Sequence, residues 1–188
     1  GESLMRVVTE HATIPVIKHD AGVCHIYVDA DADPAMAERI CFNAKVQRPS
    51  TCNAVETLLV HQGIARHWLA PFIEKLVAAN VEVRGCQKTC QLSSSAKPAS
   101  DEDFGKEFLD LTVAVKVVKH VDEAMEHIAK YGSRHTESIV TSDYPKAMRF
   151  LREVDASAVL VNASTRLNDG YQFGLGAEIG ISTSRIHA

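Results

Sequence analysis

Short β-branched and aromatic runs alternate along this chain with stretches whose apolar residues recur every three to four positions, and that alternation leaves few folds open. The strand-like runs are IPVIK (14–18), CHIYVD (24–29), ETLLV (56–60), VEVRG (81–85), LDLTVAVKVV (109–118), SIVTS (138–142) and AVLVNAS (158–164). Asp33 and Pro34, as cap and first-turn proline, open a helix with the stripe Met36, Ala37, Ile40, Cys41 and Ala44. It ends near Gln47, because Pro49 forces Arg48 out of the helical region. Ile64, Ala65, Trp68, Leu69, Phe72, Ile73, Leu76 and Val77 mark a second helix, closed by Asn80. Residues 121–132 give a third, stopped by a glycine, and 143–154 a fourth, opened by Asp143. Strands separated by helical crossovers predict an α/β fold: three layers, a mainly parallel sheet with helices on both faces. The Ser-rich segment 90–105 reads as a connector. The Gly-rich segment 165–188 reads as loops over the strand ends, where open α/β sheets bind ligands.

Composition narrows the function classes. A chain of 188 residues that is 46% hydrophobic can bury a core of its own. A net charge of -4 without a long basic run argues against nucleic acid or an anionic membrane surface as partner. No apolar run approaches the roughly 20 residues of a membrane span. Five cysteines with no pairing pattern point to a reducing cytoplasm.

Cys52 is the sharpest chemical candidate. It lies in the polar turn RPSTCN, between a helix and a strand, with Lys45 and Arg48 close by to favour a thiolate. The alternative is a buried structural thiol, the setting that the periodic surroundings of Cys24 and Cys41 imply for those two. Cys86 and Cys90 form C-x3-C with no second pair of ligands at finger-like spacing, and the nine histidines are scattered, so no metal site is expected. NASTR (162–166) puts Asn162, Ser164 and Arg166 together after a strand, where a small anion can dock; the alternative is a solvated turn. The glycines of FGLGAEIG (173–180) supply backbone freedom for a loop that approaches something closely, but they do not make a dinucleotide fingerprint.

Taken together, NAKVQRPSTCNAVETLLVH, EFLDLTVAVKVV, REVDASAVLVNASTR and FGLGAEIGIST resemble the catalytic part of the gamma-glutamyl phosphate reductases (glutamate-5-semialdehyde dehydrogenases) of proline biosynthesis, in the same order along the chain. The resemblance implies an aldehyde-dehydrogenase-like catalytic domain over residues 1–188, with Cys52 as the acyl-accepting nucleophile. It implies Glu107 as a ligand of the nicotinamide-side ribose of NADPH. Arg48, Asn162, Ser164 and Arg166 would then meet the substrate, gamma-glutamyl phosphate. Chains of this family carry an N-terminal dinucleotide-binding domain and a C-terminal tail that this chain lacks, so the chain alone is expected to be inactive. Lys18 falls where the aldehyde-oxidising relatives carry a water-activating glutamate. A homo-oligomer of the intact enzyme is compatible with all of this. The competing reading is a non-catalytic folded module packed against a partner domain.

Overall fold

Side-chain alternation decides which layer each strand feeds. The computed structural model describes residues 2–16 and 21–176. Helix α1 (Glu2–His11) precedes a seven-stranded sheet of β1 (Cys24–Val28), β2 (Val55–His61), β3 (Glu82–Gly85), β4 (Lys97–Pro98), β5 (Thr112–Val118), β6 (Thr136–Val140) and β7 (Ala158–Val161). The strands run in the order β4-β3-β5-β2-β1-β6-β7, and every pairing is parallel. The expected α/β architecture is present, with helices on both faces.

Helices α2 (Pro34–Val46), α3 (Gln62–Ala78) and α4 (Gln87–Leu92) cover one face; α5 (Val121–Tyr131) and α6 (Tyr144–Glu153) cover the other. On β1, Ile26 and Val28 point into the α2–α3 layer, whereas Tyr27 packs with Ile139 beneath α5 and α6. Asp33 caps α2 by accepting the Met36 N–H, with Pro34 in the first turn. Asp143 caps α6 by accepting the Lys146 N–H.

The structure departs from the sequence reading at four places. Residues 14–16 are not a strand, and Ile14 is exposed; residues 17–20, with the Lys18 position, lie outside the described residues. α1 is a helix with Leu4 and Val7 exposed, so it has no burial signature to reveal it. The connector contains α4, the two-residue edge strand β4, and a 3-10 turn at Asp101–Gly105 whose capping box joins Ser100 and Asp103. β6 begins two residues earlier than the periodicity implied, because the buried polar run Thr136–Glu137–Ser138 is strand and hides the pattern.

That polar run belongs to a buried network under α5. His25 Nδ1 lies 3.0 Å from Glu137 Oε2, and the His25 ring meets His127 edge-on, at 5.6 Å between centroids. His127 also packs on Phe104 and Tyr131 and lies 3.2 Å from Lys116 Nζ. Burial, reinforced by His25, Lys116 and Lys130, pushes the His127 pKa down to about 2. Its folded value thus lies below the unfolded value of about 6.5, so this residue's contribution is complete above that pH and is lost as the pH falls. Urea unfolding is therefore expected to lose about 2 kcal/mol between pH 6.5 and 5 through this residue, and a His127→Phe variant to lose correspondingly less. Equal pH dependence in the two proteins would remove His127 as the cause.

Candidate active site

The amino ends of the four central strands converge on one turn. Cys52 sits in the turn before β2 and is half-buried. Its carbonyl meets Gly22, on the approach to β1, and Cys24 Sγ, and through these two residues the turn reaches Glu107, ahead of β5, and His135, ahead of β6. The Gly22 N–H donates to Glu107 Oε1 at 2.8 Å. A Cβ on Gly22 would stand 2.2 Å from the Cys52 carbonyl oxygen and 2.8 Å from Glu107 Oε1, so only glycine lets these loops meet. Glu107 and the Cys52 backbone therefore flank a single residue.

Asn53, buried beside Cys52, is held from the far end of the chain. Its Nδ2 donates to the Asn168 carbonyl at 2.9 Å, and its Oδ1 accepts from Arg166 Nη1. Arg166 is itself buried, lies 3.9 Å from Asp169, and is the middle residue of the 3-10 turn Thr165–Leu167 that Ser164 caps. Of the residues with expected substrate contacts, the structure thus brings Arg166 to the Cys52 turn as a clamp on Asn53. Ser164 serves as the cap of the same turn. Asn162 lies elsewhere: with φ at 52°, it accepts the Thr141 N–H and donates to the Thr141 carbonyl, both at 3.0 Å, beyond the carboxyl end of β6. Arg48 is exposed, and its carbonyl accepts the Thr51 N–H and hydroxyl to shape the turn. Of the glycine-rich segment, residues 173–176 are exposed, and 177–180 lie outside the described residues.

Lys45 differs from the sequence reading. It is fully buried and donates to Glu56 Oε2 at 2.6 Å, inside the α2–sheet interface. Glu56 Oε1 accepts the Leu109 N–H at 3.2 Å. Burial pushes the Glu56 pKa up to about 7 and the Lys45 pKa down, against their mutual attraction. Lys45 is consumed in the core, so the charge that the sequence offered to a thiolate is spent on the base of the turn.

The expectation of loops gathered over carboxyl strand ends is also corrected. At that edge, the space between β1 and β6 is filled by Lys146, which donates to Asp29 at 2.9 Å and to Asp31 at 2.7 Å, while Tyr27 and Thr141 hydroxyls donate to Asp29. The segment after β7 runs back instead to the amino edge, where Asn168 donates to Thr136 Oγ1 at 2.7 Å. Sequence reasoning did not find Gly22, Asn53 or Asn168; the one signal was the unusually small Gly22 just ahead of a strand. Among the described residues, no group of three or more His, Cys, Asp or Glu is arranged to hold a metal ion, and no helix is long and apolar enough to cross a membrane.

No protein-family model matches the chain. Over its whole length it is 64% identical to a gamma-glutamyl phosphate reductase from Thermodesulfovibrio yellowstonii, of which it covers 45%. The crystal structure of a gamma-glutamyl phosphate reductase from Thermotoga maritima superposes on the whole chain with a TM-score of 0.96, at 53% identity, and this chain covers 45% of it. An acetylating aldehyde dehydrogenase from Geobacillus thermoglucosidasius shares the fold alone, with a TM-score of 0.66 and 19% identity, over 95% of this chain and 47% of its own. Over its whole length the chain thus resembles part of the gamma-glutamyl phosphate reductases in sequence and in fold, and it spans under half the length of the curated relatives it matches.

Replacing Lys45 by Met leaves the Glu56 carboxyl buried without its cation and is expected to cost about 3–5 kcal/mol in urea unfolding. The Lys45→Met, Glu56→Gln pair removes both charges and should recover most of that loss. If the double variant is no more stable than the single one, the ion pair is not what holds the base of the turn.

Proposed function

We propose that this chain is the thiol-bearing catalytic domain of an oxidoreductase that reduces L-glutamyl 5-phosphate to L-glutamate 5-semialdehyde with release of phosphate, in proline biosynthesis. The observation that carries the reading is Cys52: a half-buried thiol in a turn where loops from the amino ends of four parallel strands meet. Whole-length similarity to gamma-glutamyl phosphate reductases supplies the substrate class.

The Cys52 thiolate attacks the C5 carbonyl, the carbon–oxygen bond to phosphate breaks, and phosphate leaves a thioester on Cys52. Negative charge develops on the carbonyl oxygen during the attack, and the Cys52 backbone N–H is a donor available to stabilise it, such a donor being worth about 3 kcal/mol in acyl transfer. NADPH, when bound, supplies the hydride that turns the thioester into a thiohemiacetal, from which the aldehyde departs and the thiolate is restored. Glu107 fits a ribose: its carboxylate accepts hydrogen bonds, and Gly22 holds it beside the nucleophile's backbone. Among the substrate-facing candidates, Arg166 acts through Asn53, and exposed Arg48 is the cation available to the departing phosphate. The setting is a reducing cytoplasm, where all five cysteines stay free thiols.

Iodoacetamide at neutral pH is expected to label Cys52 at least about tenfold faster than Cys24 and Cys41, whose thiols are buried and pushed up by that burial. In a polypeptide of the relatives' full length, Cys52→Ala should abolish reduction and leave the melting curve unchanged. Turnover near the wild-type level in that variant rules out the covalent route.

A further inference from the structure

Glu137 is fully buried on β6, and its two carboxyl oxygens are used unequally. Oε2 accepts the His25 backbone N–H at 2.8 Å and stands 3.0 Å from His25 Nδ1. No protein donor reaches Oε1 among the described residues. A buried carboxylate oxygen without a donor is costly, so the space beside it matters.

Oε1 stands on the side of the last turn of α5. A Cβ on Gly132 would lie 3.0 Å from it and 2.6 Å from the Ile128 carbonyl oxygen. Gly132 has φ -69° and ψ 149°, a conformation open to any residue, so room beside the carboxylate, and not backbone geometry, requires the glycine. Glu137 and Ile128 both line a cavity of about 110 Å³. One water needs only about 10–15 Å³. The cavity opens between the last turns of α5, at Ile128 and Ala129, and of α6, at Glu153 and Val154. Ile128 and Val154 are buried and give it apolar walls, whereas Ala129, Arg134, Glu153 and Asp155 are exposed at its mouth.

Charge narrows the ligand. Three carboxylates line the cavity against one guanidinium, that of Arg134, which lies 3.7 Å from Asp155; Glu153 faces Arg149 at 2.9 Å. The carbonyl ends of both helices add negative potential. A cation is therefore favoured. Among the described residues no group of three or more His, Cys, Asp or Glu is arranged to hold a metal ion, and what Oε1 needs is a donor, so the cation must bring its own N–H groups, as an ammonium does. The walls favour an alkyl chain behind that ammonium. Burial pushes the Glu137 carboxyl up against the pull of His25, and a cation at Oε1 favours its ionised form.

We propose that this cavity binds a small linear alkyl diamine: one ammonium donates to Glu137 Oε1, the chain lies along Ile128 and Val154, and the second ammonium meets Glu153 and Asp155 at the mouth. The site is built by α5, α6 and β6 and does not use the Cys52 thiol, so its failure leaves the thioacyl reading standing.

The probe is putrescine, titrated into this chain at constant ionic strength and followed by amide NMR spectra, with n-butanol as the uncharged comparison and a thermal melt of each variant. We expect saturable shifts of the Ile128, Gly132, Glu137 and Val154 amides, a dissociation constant on the order of 1 mM, and n-butanol weaker by at least about tenfold. Glu137→Gln, which removes the charge and keeps the shape, should weaken putrescine about tenfold. Ala129→Leu fills the mouth from an exposed helix position and should abolish binding. Absence of saturable shifts in the wild type overturns the proposal. Equal affinity for n-butanol also overturns it, leaving an apolar hole. Wild-type affinity in Glu137→Gln overturns it in favour of attraction by the mouth carboxylates alone. If Glu137→Gln does not fold once its pairing with His25 is altered, Ala129→Leu decides: unchanged putrescine binding there places the ligand elsewhere and overturns the proposal.

Discussion

A single ion pair closes the loop on which the candidate chemistry sits. Lys45, in the last turn of α2, and Glu56, at the start of β2, are eleven residues apart and meet at 2.6 Å, and every residue of the turn that carries Cys52 lies between them. Both charges are taken out of water, so the contact adds little to net stability and much to geometry: either charge alone would be costly in that interface. Because Glu56 also receives the Leu109 N–H, the same carboxylate fixes the segment that brings Glu107 beside Gly22. The Cys52 turn and the Glu107 carboxylate are thereby held by one buried group.

From that clasp, the location of the site follows. α2 returns the chain to the amino edge of the sheet, and a short turn from there into β2 leaves Cys52 at that edge. The opposite edge is closed by the Lys146 ion pairs with Asp29 and Asp31. General expectation for doubly wound sheets favours the carboxyl edge, and this molecule fills that edge with charge instead.

The architecture was legible because apolar period is a local property: the stripes of α2, α3 and α5 and the runs of β2 and β5 can be counted in the sequence. β6 was misread at its start because Thr136, Glu137 and Ser138 are polar yet fully buried, their partners Asn168, His25 and Ala163 being brought to them from elsewhere in the chain. The same limit governs the site. The turn that carries Cys52 was visible in the sequence, but Lys45 near it in sequence proved to face the core, and Arg166, more than a hundred residues away, proved to clamp its neighbour. Proximity along the chain is a poor guide where parallel strands bring distant loops together, and Gly22 and Asn168 act only through such meetings.

The strand order has a consequence for synthesis of the protein. β1 lies inside the sheet between β2 and β6, and its contact with β6 joins residues 112 apart, as in His25 and Glu137. At about 5–20 residues per second, a ribosome takes on the order of 6 to 22 s to deliver the second strand after the first. Through that interval, one side of an apolar strand has no neighbour, and its open edge is free to pair with other chains until β6 is made.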